Sequence, residues 1–317
     1  MTDKTIAIVN PASGGGRAGR AWPELHKKLE AALGPVTALF TDGPATPNHL
    51  PAANLARQAV DQGASLVIAV GGDGTINETI NGLFADSTSD QAGATLALLN
   101  TGTGGDFRKT FDLPADFEGC IERIASGTTR TIDVGKMSFE TDDGKRLTRY
   151  FNNIASFGLS GAVDRAVNRA TFSKLFGGSF TYQWATLKTA LRFKPLPVRI
   201  RTDTGFDEVI NVGIAAIANG RFFGGGMMMA PGAAPDDAIF DLVIMRDTTL
   251  GDLFGGGAAL QDGTHIEGEK VQVIRAKWIE AEPADAKAPI LLDIDGEAPG
   301  RLPARFEIVP AALTLRI

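Results

Sequence analysis

Short apolar runs recur along the first third of the chain, each followed by a loop of small residues and then by a stretch of helical spacing. Thr5 to Val9, Val36 to Phe40, Leu66 to Val70 and Thr95 to Leu99 are such runs. Continuous rather than alternating apolar character, with β-branched residues and glycine at the exit, predicts strands buried on both faces of a parallel sheet. Between them, Trp22 to Leu33 and Ala52 to Gln62 read as helices. Ile76, Ile80, Leu83 and Phe84 fall on one helical stripe. The result is an alternating βα pattern, the signature of an α/β fold.

Near Thr128 the rhythm changes. Segments Asp133 to Glu140, Leu147 to Phe157, Val198 to Thr202, Val209 to Ala218, Phe240 to Arg246, Val271 to Glu280 and Ile290 to Ile294 read as strands separated by turns. They predict a second, mostly antiparallel β-sandwich. The expected organisation is an α/β domain over residues 1–127 and a β-rich domain over 128–317. The last strands, Arg305 to Val309 and Leu313 to Ile317, either cap the second sheet or return to the first domain.

Chemistry concentrates where the α/β strands end. The run Ser65 to Glu78, SLVIAVGGDGTINE, passes from buried strand through Gly71, Gly72 and Gly74 into a helix. Strand ends of this kind are where open α/β sheets bind ligands, and a helix N-terminus offers unpaired N–H groups to phosphate. Asp73 inside the turn repels phosphate unless a cation lies between, which points to Mg²⁺ with a nucleotide. This run is not the Rossmann G-x-G-x-x-G, and no G-x-x-x-x-G-K-[ST] occurs anywhere in the chain. Two further loops follow strands in the same way: Asn10-Pro11-Ala12-Ser13-Gly14-Gly15-Gly16, and Asn100-Thr101-Gly102-Thr103-Gly104-Gly105-Asp106.

Composition narrows the class. The 317 residues carry a net charge of −6, which leaves no basic footprint for nucleic acid. One cysteine, Cys120, excludes an intrachain disulfide and fits a reducing compartment. No run approaches the length of a membrane span or a secretory signal, so a cytoplasmic location is expected. One asymmetry stands out: between Arg165 and Arg201 there are eight Lys and Arg residues and no Asp or Glu, interleaved with aromatics. This reads equally as a surface for anionic lipid or as a helix with a solvated basic face.

GGDGT followed by Asn77 and Glu78 resembles the catalytic domain of the diacylglycerol kinase family, which includes sphingosine and ceramide kinases. The motif is shared with the more distant NAD kinases. The resemblance covers nearly the whole chain, with NPxSG, GGDGTxNE, GTxxDF, PxxxxxDxxxD and DGE in family order. It implies an N-terminal nucleotide-binding domain of the NAD kinase/diacylglycerol kinase type and an active site in the cleft between the two domains. It also implies that Asn10, Ser13, Gly14, Thr41, Gly71, Gly72, Asp73, Gly74, Thr75, Asn77, Glu78, Gly102, Thr103 and Asp106 surround ATP. Asp73 and Asp106 would orient Mg²⁺ through water. Asp237, with the backbone oxygens of Ala234 and Ile239, would hold a structural Mg²⁺. Asp295 would be the general base, with Glu297 as its catalytic neighbour. The chain departs from the pattern at Gly105, where the family usually has asparagine, and at Asn100, where it often has proline.

The implied activity is transfer of the γ-phosphoryl group of ATP to a hydroxyl of a membrane lipid, diacylglycerol first among the candidates. The protein would visit the bilayer from the cytosol through residues 165–201. Phosphatidylglycerol, a sphingoid base or ceramide are alternative acceptors. An NAD kinase-like enzyme and a regulator without catalysis are the rivals. The oligomeric state stays open, a homodimer included.

Overall fold

The structure, a computed structural model, describes residues 4–46, 49–84, 90–102, 104–162, 193–248, 257–285 and 289–317. The first part alternates as its apolar runs predict: β1 (Thr5–Val9), α1 (Ser13–Leu33), β2 (Val36–Phe40), α2 (Pro51–Asp61), β3 (Leu66–Gly71), α3 (Asp73–Leu83) and β4 (Thr95–Asn100). Two short helices follow, α4 (Asp106–Thr110) and α5 (Phe117–Ser126). The strands pair in parallel in the order β4-β3-β1-β2. One face of this sheet packs on α1 and α5 and the other on α2 and α3. Helix α1 starts well before Trp22, but Gly14, Gly15 and Gly16 at its head have φ of 60°, 66° and 84°. That left-handed stretch costs glycine little and breaks the helical pattern read from side chains.

Helix α5 is capped by Asp116, whose carboxylate accepts from the Gly119 N–H at 2.8 Å, and it ends at Gly127 with φ 76°. From there the chain is β-rich: β5 (Thr129–Glu140), β6 (Arg146–Phe151), β7 (Ile154–Gly158), β8 (Leu196–Thr202) and β9 (Asp207–Ala218). A small hairpin of β10 (Phe222–Phe223) and β11 (Met227–Met228) comes next. Then follow β12 (Phe240–Arg246), β13 (Val271–Ala276), β14 (Trp278–Pro283), β15 (Leu292–Ile294) and β16 (Arg301–Arg316). Two antiparallel layers enclose a core in which Phe139, Phe151, Phe157, Phe240 and Phe306 are buried. Each such ring contributes about 1.5–3 kcal/mol of transfer free energy.

Three expectations about strands change, the first at Val271 to Glu280, which Lys277 divides into β13 and β14 with different partners. The stretch Leu147 to Phe157 is not one strand: Asn152 and Asn153 interrupt it between β6 and β7. The two terminal strands are one long strand, β16, bent by irregularities at residues 301–304 and 309–313. Its end pairs in parallel with β4, Leu315 opposite Leu96 and Arg316 opposite Ala97. The terminal segment therefore returns to the first sheet while its earlier part pairs with β5 and β14.

Candidate active site

The β1 and β3 loops flank the point where the sheet changes direction, because β1 leads outward to β2 and β3 leads the other way to β4. A ligand crevice is expected there. The three glycine loops meet in it. Asn10 donates to the Thr75 hydroxyl at 3.0 Å, and the Thr101 hydroxyl donates to Ser13 Oγ at 3.0 Å. A Cβ on Gly102 would lie 2.8 Å from the Gly72 Cα, and one on Gly14 would lie 2.5 Å from the Thr101 carbonyl. At Gly71 and Gly102 close approach, rather than a left-handed backbone, demands glycine.

Asp73 accepts from the Gly105 N–H at 2.8 Å, at the head of α4. Burial raises its carboxyl above the usual range, against the lowering pull of the Gly105, Asp106 and Phe107 amides. Its other oxygen, Oδ1, is buried with no partner. Asp106 differs: one oxygen accepts from Lys109 Nζ at 2.8 Å and the other from the Gly225 N–H at 2.7 Å. It ties the β4 loop to the glycine hairpin between β10 and β11. Gly105 sits at φ 63°, a region that asparagine also tolerates. Beside it, Asn100 Nδ2 lies 2.8 Å from where a Cβ would be. The backbone cradle is kept.

Asp295 and Gly296, at φ 49° and 90°, form a two-residue hairpin turn closed by the Glu297 N–H to the Ile294 carbonyl at 2.9 Å. Asp293 pins that turn by accepting from the Gly296 N–H at 2.9 Å, and it takes a hydroxyl hydrogen bond from Ser156 at 2.8 Å. Alternation alone would make Asp293 a wet residue; it is 4% exposed. The Asp295 carboxylate accepts from Asn77 Nδ2 at 2.8 Å, the Asn152 N–H at 3.2 Å and the Ile154 N–H at 2.9 Å. The break between β6 and β7 is what frees those two amides. Burial pushes the Asp295 carboxyl up to about 6, and the charge of Asp73 adds to the rise. Glu297 rises to about 7, again through burial first and then the charge of Glu78, while Arg149 opposes. Its Oε1 lies 3.3 Å from where a Gly74 Cβ would stand.

Asn77, Gly74, Asp73, Asp295 and Glu297 thus come together across the two parts of the chain. Asn77 and Asn81 also hold the Tyr150 carbonyl at 3.0 and 2.9 Å, docking β6 on α3. Glu78 accepts from the Ala52 N–H at 2.8 Å and so anchors the start of α2. Thr41 sits just past β2, its N–H donating to the Val9 carbonyl at 3.0 Å. Asp237 stands in a separate turn, paired with Arg275 and accepting from the Ile239 N–H at 3.2 Å. Thr103 lies outside the described residues, as does 163–192 of the basic segment. Arg199 pairs with Asp207 at 2.8 Å, and Arg201 with Glu280 at 3.2 Å, so neither offers the free charge read from the sequence. Arg149, Asn81 and Asn152 escaped the sequence reading, whereas the Asp-Gly turn signal was there to be used.

An α/β crevice lined by glycine loops, faced by a carboxylate from an antiparallel sandwich, defines the class of nucleotide-dependent kinases related to the NAD kinase fold. Residues 4–137 match the diacylglycerol kinase catalytic domain, and 153–317 match the YegS C-terminal NAD kinase beta sandwich-like domain. The chain belongs to the bacterial diacylglycerol/lipid kinase family. A diacylglycerol kinase of Staphylococcus epidermidis is 30% identical over 96% of this chain and 89% of its own. One of Mycobacterium tuberculosis is 28% identical over 98% and 94%. The crystal structure of a putative diacylglycerol kinase from Bacillus anthracis shares the fold, with TM-score 0.76, 23% identity and coverage of 99% and 95%. Among the described residues, no helix is long and apolar enough to cross a membrane.

Proposed function

We propose that the protein transfers the γ-phosphoryl group of Mg·ATP to a hydroxyl of a membrane lipid, diacylglycerol in the first instance, forming phosphatidic acid and ADP. The observation that carries this reading is the Asp295 carboxylate, fixed by Asn77 of the glycine-loop helix and felt electrostatically by Asp73. A carboxylate with its pKa near 6 is ionised at neutral pH and still basic enough to take a proton as the alcohol attacks. The lipid O–H proton passes to Asp295, the oxygen bonds to the γ-phosphorus, and the bond to the ADP oxygen breaks. Loop amides at 71–75 and 102–105 would hold the phosphates. Asp73 fits a hydrated cation through its unpartnered Oδ1. Magnesium supplies neutralisation of phosphate charge when bound. Asp106 would join only by giving up Lys109 or Gly225. Bilayer contact would fall to residues 165–194, since Arg199 and Arg201 are already paired.

The test is transfer of label from γ-labelled ATP to diacylglycerol, phosphatidylglycerol, ceramide, a sphingoid base and NAD, the lipids in mixed micelles. Phosphatidic acid is the expected product, and Asp295→Asn should cut the rate by about 10²–10⁴ with ATP binding kept. Binding of ATP with transfer to none of these acceptors would overturn the reading.

A further inference from the structure

The order of the parallel strands places four carboxyl ends in a row, β4, β3, β1 and β2. Neighbouring strands lie about 4.8 Å apart, so the ends of β3 and β2 are separated by about 10 Å. Reaction chemistry sits past the end of β3, the second strand of this row, where Asp295 meets Asn77 on α3 and Glu297 stands over Gly74. A nucleoside triphosphate whose terminal phosphate points there can extend across β1 towards β2, over the point where the strand order reverses.

At that far end stands Phe40, the last residue of β2, in register with Val9 and directly before Thr41. It is 51% exposed, and it is the one aromatic among the exposed large hydrophobics of the described residues. A scattered exposed apolar residue is ordinary. This one differs by its position and by its support. Val36, on the same face, is buried under α1 and Ala38 is half-buried there; Phe40, at the carboxyl end of the strand, is covered on one side only. Trp22 holds it in a T-shaped contact with centroids 6.2 Å apart and planes at 90°. Trp22 is itself stacked on His26 at 5.1 Å. The ring is thus oriented while half of its surface stays open.

We infer that Phe40 is the stacking platform for the nucleobase, with the ribose over the end of β1 and the phosphates over the β3 and β4 loops. The inference rests on the ATP-dependent reading above and adds the residue that recognises the base. An aromatic face contributes affinity without hydrogen bonds, so it favours a large purine ring over a small pyrimidine one.

Calorimetric titration of the full chain separates base from phosphates, with Mg·ATP and inorganic triphosphate as the two probes. Phe40→Ala should weaken ATP binding on the order of tenfold and leave triphosphate binding as in the wild type. Phe40→Tyr should bind ATP as the wild type does. Equal ATP affinity in Phe40→Ala and wild type overturns the stacking role alone. Parallel loss of ATP and triphosphate in Phe40→Ala also overturns it, because the base is then not what the ring holds. If the wild-type chain binds no ATP at all, the kinase reading falls and this inference with it.

Discussion

Asp295 is a non-glycine residue in left-handed backbone, and the strain is held by the Asp293 hydrogen bond to Gly296 and by three donors on its own carboxylate. With its carboxyl near 6, kcat/KM should fall as the pH drops below about 6 and level off above it, a limb that Asp295→Asn would abolish. Glu297 gives a stability prediction of its own. Its folded pKa, about 7, lies above the ordinary value of 4.5, so its favourable contribution is complete below pH 4.5 and lost as pH rises through 7. Glu297→Gln should therefore raise Tm at pH 8, by a stabilisation of about 1–3 kcal/mol. That advantage should shrink as the pH falls and vanish by pH 4. An unchanged difference between variant and wild type across that range in differential scanning fluorimetry would contradict the assignment.

At the scale of elements, the three glycine loops were legible because each follows a continuous apolar run, and buried parallel strands leave few alternatives to that pattern. The internal packing of the loops was not. Nothing in local sequence says that Gly102 meets Gly72, since the contact joins residues brought together by sheet order. Gly102→Ala should disturb both loops at once, weakening ATP binding and lowering Tm by several degrees, measured by calorimetry and thermal melting. Asp295 was found by motif, whereas its donors at Asn152 and Ile154 were hidden: the stretch 147–157 has the apolar character of one strand, and only tertiary hydrogen bonding breaks it. The burial of Asp293 was hidden for a related reason. Period-two alternation separates faces but does not say which face meets water. Arg149, one of several basic residues on the β5–β6 hairpin, carried no signal of its own, and the charges that act on it are those of Glu78 and Glu297.

For the molecule as a whole, β6 docks on α3 through Asn77 and Asn81, and the stacked rings of Phe84 and Tyr150 lie 4.5 Å apart. The hairpin at 222–228 is tied to α4 through Gly225 and Asp106, and Arg221 donates to the Thr110 carbonyl at 2.9 Å. The α/β and β-rich parts therefore meet through polar contacts on both sides of the crevice. Strand β16 does more, since one continuous backbone pairs with β5, β14 and β4. Cooperative unfolding follows from shared hydrogen-bonded structure. Heating should give one calorimetric transition rather than two, and removal of residues 313–317 should lower it without splitting it.

A strand that belongs to both halves also restricts how the crevice can open. Rotation of one half about a flexible linker would require β16 to shear away from β4 or β5, breaking a ladder of backbone bonds. Access for a bulky acceptor must then come from smaller parts: the glycine hairpin lifting from Asp106, or side chains turning aside. Such a molecule trades reach for alignment, keeping Asp295 and the glycine loops in fixed relation to one another.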